Sequence, residues 1–359
     1  VSNTPAAASG SFVEGGPEFR VTLDGSERSF IVRQGEPILS AARRAGHWLP
    51  FECGWGSCSR CKATLVDGEL ASLFPNAPAI DARDERRRRY LMCQSTPLTD
   101  LVIKPFSVAD EAPVERPTAD YLGTLVHCRP LGPSIAEFRF ELTDSDGSPA
   151  TAVFRPGQYA TLHIDEGLSR CYSMANLPGS NTVDFIIKHY DGHLGSTRMF
   201  GLAPGATVPI ELPYGDMWLR DVERPVLMIA GGTGVSAILS LARSIVDDPR
   251  WIDTPVHVLY GAATREELVC WEELEDLSDG DHTVHLHGSL VHVTDDWSGG
   301  QGLITASLSA LLSAELAVDH DLANAEIYLA GPPPMVKAVQ AVLNEHGIQL
   351  DRIHVDSFG

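Results

Sequence analysis

Basic residues are scarce in this sequence. It has 27 Lys and Arg against 48 Asp and Glu, a formal net charge of -21, which argues against a nucleic-acid partner, because neutralising phosphates needs a positive footprint. No stretch approaches 18 consecutive apolar residues, so no membrane-spanning helix and no membrane partner are expected. The opening Val1 to Gly16 has neither a basic start nor an apolar centre. It reads as a mobile tail rather than a secretory signal. Cysteine is sparse and odd in number, seven in 359 residues, so a disulfide framework gives way to metal ligation plus spare thiols, with the cytoplasm as default location. No internal repeat is visible.

What is present is enough chain for two or three domains, with 43% hydrophobic residues to build their cores. Charge divides unevenly. Residues 1–108 carry a net of +1, residues 109–224 a net of -7 and residues 225–359 a net of -15, as separate modules would. After the 1–16 tail, residues 17–106 open with strand-like runs joined by Asp24-Gly25, a turn dipeptide, and then a helix from about Pro37 to Ala45 stopped by Gly46. Residues 107–118 are polar with two prolines and read as a linker. Residues 119–223 hold mostly strands, among them Glu137–Leu142, Tyr159–Ile164 and Val183–Ile187, which suggests an antiparallel barrel. From 224 to 359 strands alternate with helices, which predicts a doubly wound parallel sheet. The fold class is therefore multidomain α+β and α/β.

The strongest motif is Cys53-x4-Cys58-x2-Cys61 with Cys93 some thirty residues on, the plant-type [2Fe–2S] spacing. Three thiolates on one tight loop ligate from one side and the fourth arrives from a distant segment. Gly54 and Gly56 let backbone amides approach the sulfurs. A zinc site, the alternative, usually pairs two C-x2-C units, and only one is present. Cys128, Cys171 and Cys270 share no ligand spacing and read as inert buried thiols.

Arg170-Cys171-Tyr172-Ser173-Met174-Ala175-Asn176 resembles the R-x-Y-S flavin motif of the ferredoxin–NADP reductase superfamily. The resemblance spans about residues 17–359. It implies a β-grasp ferredoxin, a flavin-binding barrel and a nucleotide domain, in that order. It also implies that Arg170 meets the flavin phosphates, Tyr172 packs on the ring and Ser173 hydrogen-bonds near the hydride-accepting nitrogen. The segment Ile187-Lys188 and the turn with Gly192, Ser196 and Thr197 are further cofactor candidates. The module order implies FAD rather than FMN.

Gly231-Gly232-Thr233-Gly234 follows a strand and opens a helix, a context suited to a pyrophosphate. It resembles the superfamily's G-G-T-G. Ala330-Gly331-Pro332-Pro333-Pro334-Met335 resembles the C-G-P-P-x-M segment beside the nicotinamide, with Ala330 in place of Cys. Gly331, Pro332, Pro333 and Met335 are thus candidate contacts. A tight turn with Pro at a helix start explains the prolines alone. Near the C-terminus, Phe358 is expected to cover the flavin ring and Asp356 to support Ser173, with a packed terminal strand as the alternative. Tyr260 and Arg265 lie where the adenine ribose should reach. Arg265 suits a 2′-phosphate, whereas Glu266 and Glu267 oppose one, so the balance leans to NADH with NADPH open.

Within the superfamily the chain is similar to three-domain reductases of multicomponent, Rieske-type aromatic ring-hydroxylating oxygenases. The run from Ser169 to Asn176 and the ending look nearest to terephthalate 1,2-dioxygenase reductases. The implied function is relay of electrons from NAD(P)H to FAD to the cluster to a terminal oxygenase in aromatic hydrocarbon catabolism, by a monomer. Reductases of di-iron monooxygenases or cytochrome P450 are the alternative, and an iron–sulfur redox sensor a remote one. Trp55 and Arg86 to Arg89 are expected to dock the oxygenase, against a solvated run paired with Asp81, Asp84 and Glu85.

Overall fold

The computed structural model describes residues 16–51, 54, 56, 59–75, 77–106, 118–165, 168–279, 284–315 and 322–358. The expected tail and linker lie, apart from Gly16 and Thr118, outside the described residues.

The first stretch holds β1 (Glu18–Leu23), β2 (Ser29–Arg33), α1 (Ile38–Arg44), β3 (Lys62–Asp67), β4 (Leu70–Ser72), α2 (Ala82–Arg86), β5 (Arg89–Leu91), β6 (Ser95–Pro97) and β7 (Leu101–Pro105). The middle stretch holds β8 (Ala119–Gly132), β9 (Ile135–Thr143), β10 (Tyr159–Asp165), β11 (Leu168–Ser173), β12 (Thr182–Lys188), α3 (Leu194–Phe200) and β13 (Thr207–Tyr214). The last holds β14 (Val226–Gly231), α4 (Val235–Val246), β15 (Val256–Ala262), α5 (Trp271–Ser278), β16 (Val284–Leu290), β17 (Gly300–Gln301), α6 (Ile304–Glu315), β18 (Glu326–Gly331), α7 (Pro333–Glu345) and β19 (Ile353–Ser357).

Contacts divide the chain into two compact units. One comprises residues 1–121, 161–171 and 208–214, and the other residues 122–160, 172–207 and 215–359. In the first, a mixed sheet runs β2-β1-β7-β3-β5. The β1–β2 hairpin pairs Val21 with Phe30 and turns at Gly25, whose φ of 75° suits a left-handed turn position. Helix α1 buries Ile38, Leu39, Ala41 and Ala42. It ends as its sequence predicts, with Gly46 at φ 77° and the His47 amide donating back to the Ala42 carbonyl at 2.8 Å. Most of β11, β10 and β13, neighbours in that order, belongs to this unit.

In the second unit β9 pairs antiparallel with both β8 and β12, setting Phe138 opposite Phe185. The last stretch forms a parallel sheet in the order β17-β16-β15-β14-β18-β19. Strands β14 and β18 are buried along their whole length, as parallel strands covered on both faces must be. Their side chains alternate between two cores. Met228, Ala230, Tyr328 and Ala330 join the α4 side, while Leu227, Ile229, Ile327 and Leu329 join the side of α6 and α7. The strand order reverses between β14 and β18, and ligands of such sheets bind beyond the carboxyl ends at that point. Among the described residues no helix is long and apolar enough to cross a membrane.

Candidate functional site

In the first unit, Cys61 precedes β3 and Cys93 lies in a short 3₁₀ turn. The Met92 amide donates to the Cys61 carbonyl at 3.0 Å, which holds the two segments side by side. Both thiols are buried and their Sγ atoms face each other at 3.2 Å. Two thiolates on one tetrahedral metal sit about 3.8 Å apart for metal–sulfur bonds of about 2.3 Å, so a small opening of this pair accommodates shared ligation. Gly54 and Gly56 have φ of 69° and 99°. A Cβ on Gly56 would press within 3.1 Å of Ala77 and 3.2 Å of Gln94. The loop therefore needs glycine for backbone conformation and for room. Cys53, Cys58 and Trp55 lie outside the described residues. The residues present fit the cluster.

The arginine run splits by role. Arg89 bonds Asp84 at 3.5 Å and stacks over Phe106. Asp84 is also paired with Lys62 at 2.7 Å, so its carboxyl falls below the usual range, chiefly through that Lys62 hydrogen bond. Asp81 caps α2 through the Arg83 and Asp84 amides. Arg88 donates to the Val66 and Gly68 carbonyls. Arg86 and Arg87 are exposed.

Arg170, also in the first unit, is exposed on β11 with its guanidinium on the Ser169 carbonyl at 2.8 Å. Tyr172 and Ser173 fall in the second unit. The Tyr172 ring is half-buried and tilted against Phe185 at 6.3 Å. Ser173 is buried, and its Oγ donates to the Asp356 carboxylate in a short hydrogen bond. Asp356 is brought there by β19, which pairs with β18 so that Asp356 lies opposite Ala330. The Phe358 amide, in turn, donates to the Gly331 carbonyl at 3.3 Å. The C-terminal strand thus packs in the sheet and also delivers a carboxylate to Ser173.

Three residues that sequence reasoning missed grip the flavin-motif strand from α4. Ser236 Oγ donates to the Ser173 carbonyl at 2.6 Å, Ser240 Oγ to the Asn176 carbonyl at 2.9 Å, and Arg243 to the Ala175 carbonyl at 2.6 Å. Positions 236, 240 and 243 share one helix face. Polar residues at that spacing in an otherwise apolar helix were the available signal.

The nucleotide candidates fall into groups. A Cβ on Gly231 would meet Met335 Sδ at 2.0 Å, and one on Gly234 the Ala330 carbonyl oxygen at 2.2 Å. These glycines, with Gly331, let the two motif turns pack together. Gly232, at φ 54°, has open space before it, at the carboxyl end of β14 and the start of α4. Thr233 beside it is half-buried. This backbone fits an approaching anion. Pro332 and Pro333 begin α7, which is their helix-start role.

Other candidates are engaged by the protein itself. Tyr260 is fully buried with its hydroxyl on the Glu267 carbonyl, inside the core rather than on a ligand-facing loop. Burial is the main reason its phenol is pushed well up. Ile187 is buried. Lys188 pairs with Glu267 at 2.5 Å. Ser196 lies within α3 and turns its hydroxyl onto the 190–193 turn, not outward to a phosphate. Thr197 is exposed, 3.5 Å from His189, and Gly192 takes a φ of 78°. Arg265 is exposed but held over the Trp271 and Trp297 rings at 5.4 and 5.6 Å.

Comparison with known proteins agrees module by module. Residues 21–98 match the "2Fe-2S iron-sulfur cluster binding domain", residues 123–218 the "Oxidoreductase FAD-binding domain", and residues 228–341 the "Oxidoreductase NAD-binding domain". The chain is 34% identical over 336 residues to the alkene monooxygenase system ferredoxin–NAD(+) reductase component of Xanthobacter autotrophicus, covering 92% of this chain and 98% of that protein. It is 28% identical over 346 residues to the terephthalate 1,2-dioxygenase reductase component 1 of Comamonas sp, covering 94% and 97%. A solved structure, the ferredoxin reductase in carbazole 1,9a-dioxygenase, superposes with a TM-score of 0.82 at 29% identity, covering 96% and 99%. Fold and site together define an iron–sulfur flavoprotein oxidoreductase driven by a pyridine nucleotide. The chain belongs to the family of ferredoxin–NAD(P)+ reductase components of oxygenase systems. Its electrons pass from NAD(P)H through FAD to the [2Fe–2S] cluster.

Proposed function

We propose that this reductase delivers single electrons to the terminal oxygenase of an aromatic ring-hydroxylating dioxygenase system, as a cytoplasmic monomer fed by NADH. In this reading the modules divide at 17–106, 119–223 and 224–359. When bound, the nucleotide supplies a hydride, FAD accepts it and releases its electrons one at a time, and the cluster carries them onward.

The observation that carries the site assignment is the buried Ser173–Asp356 hydrogen bond. Asp356 accepts the Ser173 hydroxyl hydrogen and so fixes the hydroxyl's orientation, which leaves the Ser173 oxygen lone pairs free to accept a hydrogen bond from a bound flavin. Ser236 fixes the backbone of the same residue from α4. The exposure of Arg170 supports its contact with the flavin phosphates, Tyr172 offers a half-buried ring, and the open backbone at Gly232 suits the nucleotide pyrophosphate. Arg265, engaged by two tryptophans and beside Glu266, favours NADH over a doubly anionic ribose. Ser173→Ala and Asp356→Asn are expected to slow flavin reduction by NADH at least tenfold with less than twofold change in NADH affinity, because the bond matters most as charge moves. An unchanged reduction rate rejects the assignment.

The exposed Arg86 and Arg87 support docking of an acidic oxygenase patch near Cys93. Monooxygenase systems stand as the second reading, because one similar reductase serves an alkene monooxygenase. Reconstitution with a purified dioxygenase and a purified di-iron monooxygenase, each at low and high salt, decides between them. The steered partner should lose rate with salt, and Arg86→Ser with Arg87→Ser should flatten that slope. Turnover with the monooxygenase alone overturns the dioxygenase reading.

A further inference from the structure

A buried ionic cluster lies in the first unit. Its centre is Glu211 on β13, fully buried. One carboxylate oxygen meets His163 Nε2 on β10 at 2.9 Å, and the other accepts from the Tyr214 hydroxyl at 2.5 Å. Arg44, in the last turn of α1, lies 3.7 Å from Glu211 and 2.7 Å from Asp120, and forms a close ion pair with Glu36. Burial alone would raise the Glu211 pKa, yet the His163 hydrogen bond and the charges of His163 and Arg44 outweigh it and hold the carboxyl at about 2. Arg44 is driven above its ordinary value, because the attraction of Glu211 and Glu36 exceeds its desolvation.

The members come from distant parts of the sequence. Glu36 and Arg44 belong to the ferredoxin module, and Asp120, His163, Glu211 and Tyr214 to the flavin-binding stretch. One further contact joins the same parts: Phe51 meets the Tyr214 ring edge-on at 5.9 Å. At the end of the 107–118 stretch the Thr118 hydroxyl donates to the Pro213 carbonyl at 2.9 Å. A buried ion pair adds little net stability over an apolar pair but strongly penalises any arrangement that leaves one charge unpaired. It therefore selects one docking geometry more than it strengthens docking.

We propose that Arg44 and Glu211 are positioning residues for the electron-transfer step between flavin and cluster, fixing the ferredoxin module against strands β10 and β13. Single-electron transfer through protein falls steeply with distance, so a module free to swing would reduce its cluster slowly. Hydride transfer to the flavin lies upstream and does not depend on the clamp. The inference rests on the flow from flavin to cluster and is independent of which oxygenase accepts the electron.

The test uses the holoenzyme. Arg44→Ala and Glu211→Gln are each mixed with NADH in a stopped-flow instrument, with flavin reduction, cluster reduction and NADH–ferricyanide turnover followed separately. Hydrogen exchange of the α1 and β13 amides is measured alongside. The expected result is a tenfold or greater loss in the cluster-reduction rate, with flavin reduction and ferricyanide turnover within twofold of the parent. Exchange should rise in α1 and β13 together. Arg44→Lys, which keeps the charge, should restore at least half of the parent rate. An unchanged cluster rate, or equal loss of flavin reduction and cluster reduction, overturns the proposal. If Arg44→Ala does not fold, Asp120→Asn at the half-exposed rim of the cluster takes its place, with a threefold or greater selective loss expected and no selective loss as the refuting result.

Discussion

Three glycines within four residues should respond to alanine in three different ways. Gly234 has an ordinary helical φ of -58°, so an added methyl group costs nothing in backbone strain. Its Cβ would, however, lie 2.2 Å from the Ala330 carbonyl oxygen and 2.6 Å from the carbonyl carbon. A relaxed carbon–oxygen contact is about 3.3 Å, so about 1 Å of movement between β18 and the start of α4 is needed. Strand β18 is buried along its whole length and has nowhere to go. A loss of about 3 kcal/mol, the upper range for overpacking, corresponds to a fall of roughly 6–12 °C in apparent Tm for a unit of this size. Gly232→Ala meets no atom within 4 Å and loses only the left-handed backbone preference, about 1 kcal/mol or a little more. Its methyl group enters the space assigned to the pyrophosphate, so KM for NADH should rise tenfold or more with kcat nearly kept. Gly231→Ala would strike Met335 Sδ at 2.0 Å. A thioether chain can yield, so its cost should be intermediate and largely rescued by Met335→Ala. The assays are thermal denaturation followed by tryptophan fluorescence and NADH–ferricyanide kinetics. A Gly232→Ala protein with parental KM would falsify the assignment of that open backbone to the nucleotide, and a Gly234→Ala protein with parental Tm would refute the packing argument.

Cys93→Ser should abolish the cluster's visible absorbance while NADH–ferricyanide turnover stays within twofold, since ferricyanide draws electrons from the flavin; loss of that turnover in a protein that still holds FAD contradicts the relay. Glu211 sets an acid dependence. Its folded pKa of about 2 is depressed from 4.5, so its contribution is fully present above pH 4.5 and is lost as the pH falls toward 2, amounting to about 3 kcal/mol. Glu36 works in the opposite direction, because burial raises its pKa and its ionisation costs stability as the pH rises. Urea denaturation between pH 5.5 and 3 should show a steep fall in the parent and a shallower one in Glu211→Gln, and parallel curves would exclude Glu211 as the source.

Local signals in the sequence carried far. The Asp24-Gly25 turn, the Gly46 stop and the strands at 137–142, 159–164 and 183–187 lie where their residues indicate, because the turns depend on nearest neighbours and the strands are short apolar or alternating runs, the last of them buried throughout. The parallel sheet was legible for the same reason, since β14 and β18 are short apolar runs each followed by a glycine turn. Side-chain roles were less legible. Tyr260 and Ser196 have the right residue type in the right segment, yet one hydroxyl is claimed by the Glu267 carbonyl and the other by its own turn. Direction along a strand or helix decides such cases, and a motif does not encode it. The pairing of Arg44 with Glu211 joins residues far apart in sequence, and nothing in either segment marks its partner.

On the proposed assignments the two transfer steps are held by different chemistry, and each kind suits its step. Hydride transfer needs donor and acceptor nearly in contact, where small displacements are costly. Both proposed sides of that step meet one helix: α4 begins at the open glycine backbone, and Ser236, Ser240 and Arg243 on its flank bind the carbonyls of Ser173, Asn176 and Ala175. A 12-residue helix packed in the sheet core therefore ties the glycine turn to the Ser173 strand. Single-electron transfer does not need donor and acceptor in contact as hydride transfer does, and it tolerates looser positioning. The buried charges around Glu211, proposed to hold that step, reward one arrangement without locking the main chain. Substitutions on the α4 flank should therefore alter hydride transfer first, and substitutions around Glu211 should alter the later step while leaving hydride transfer intact.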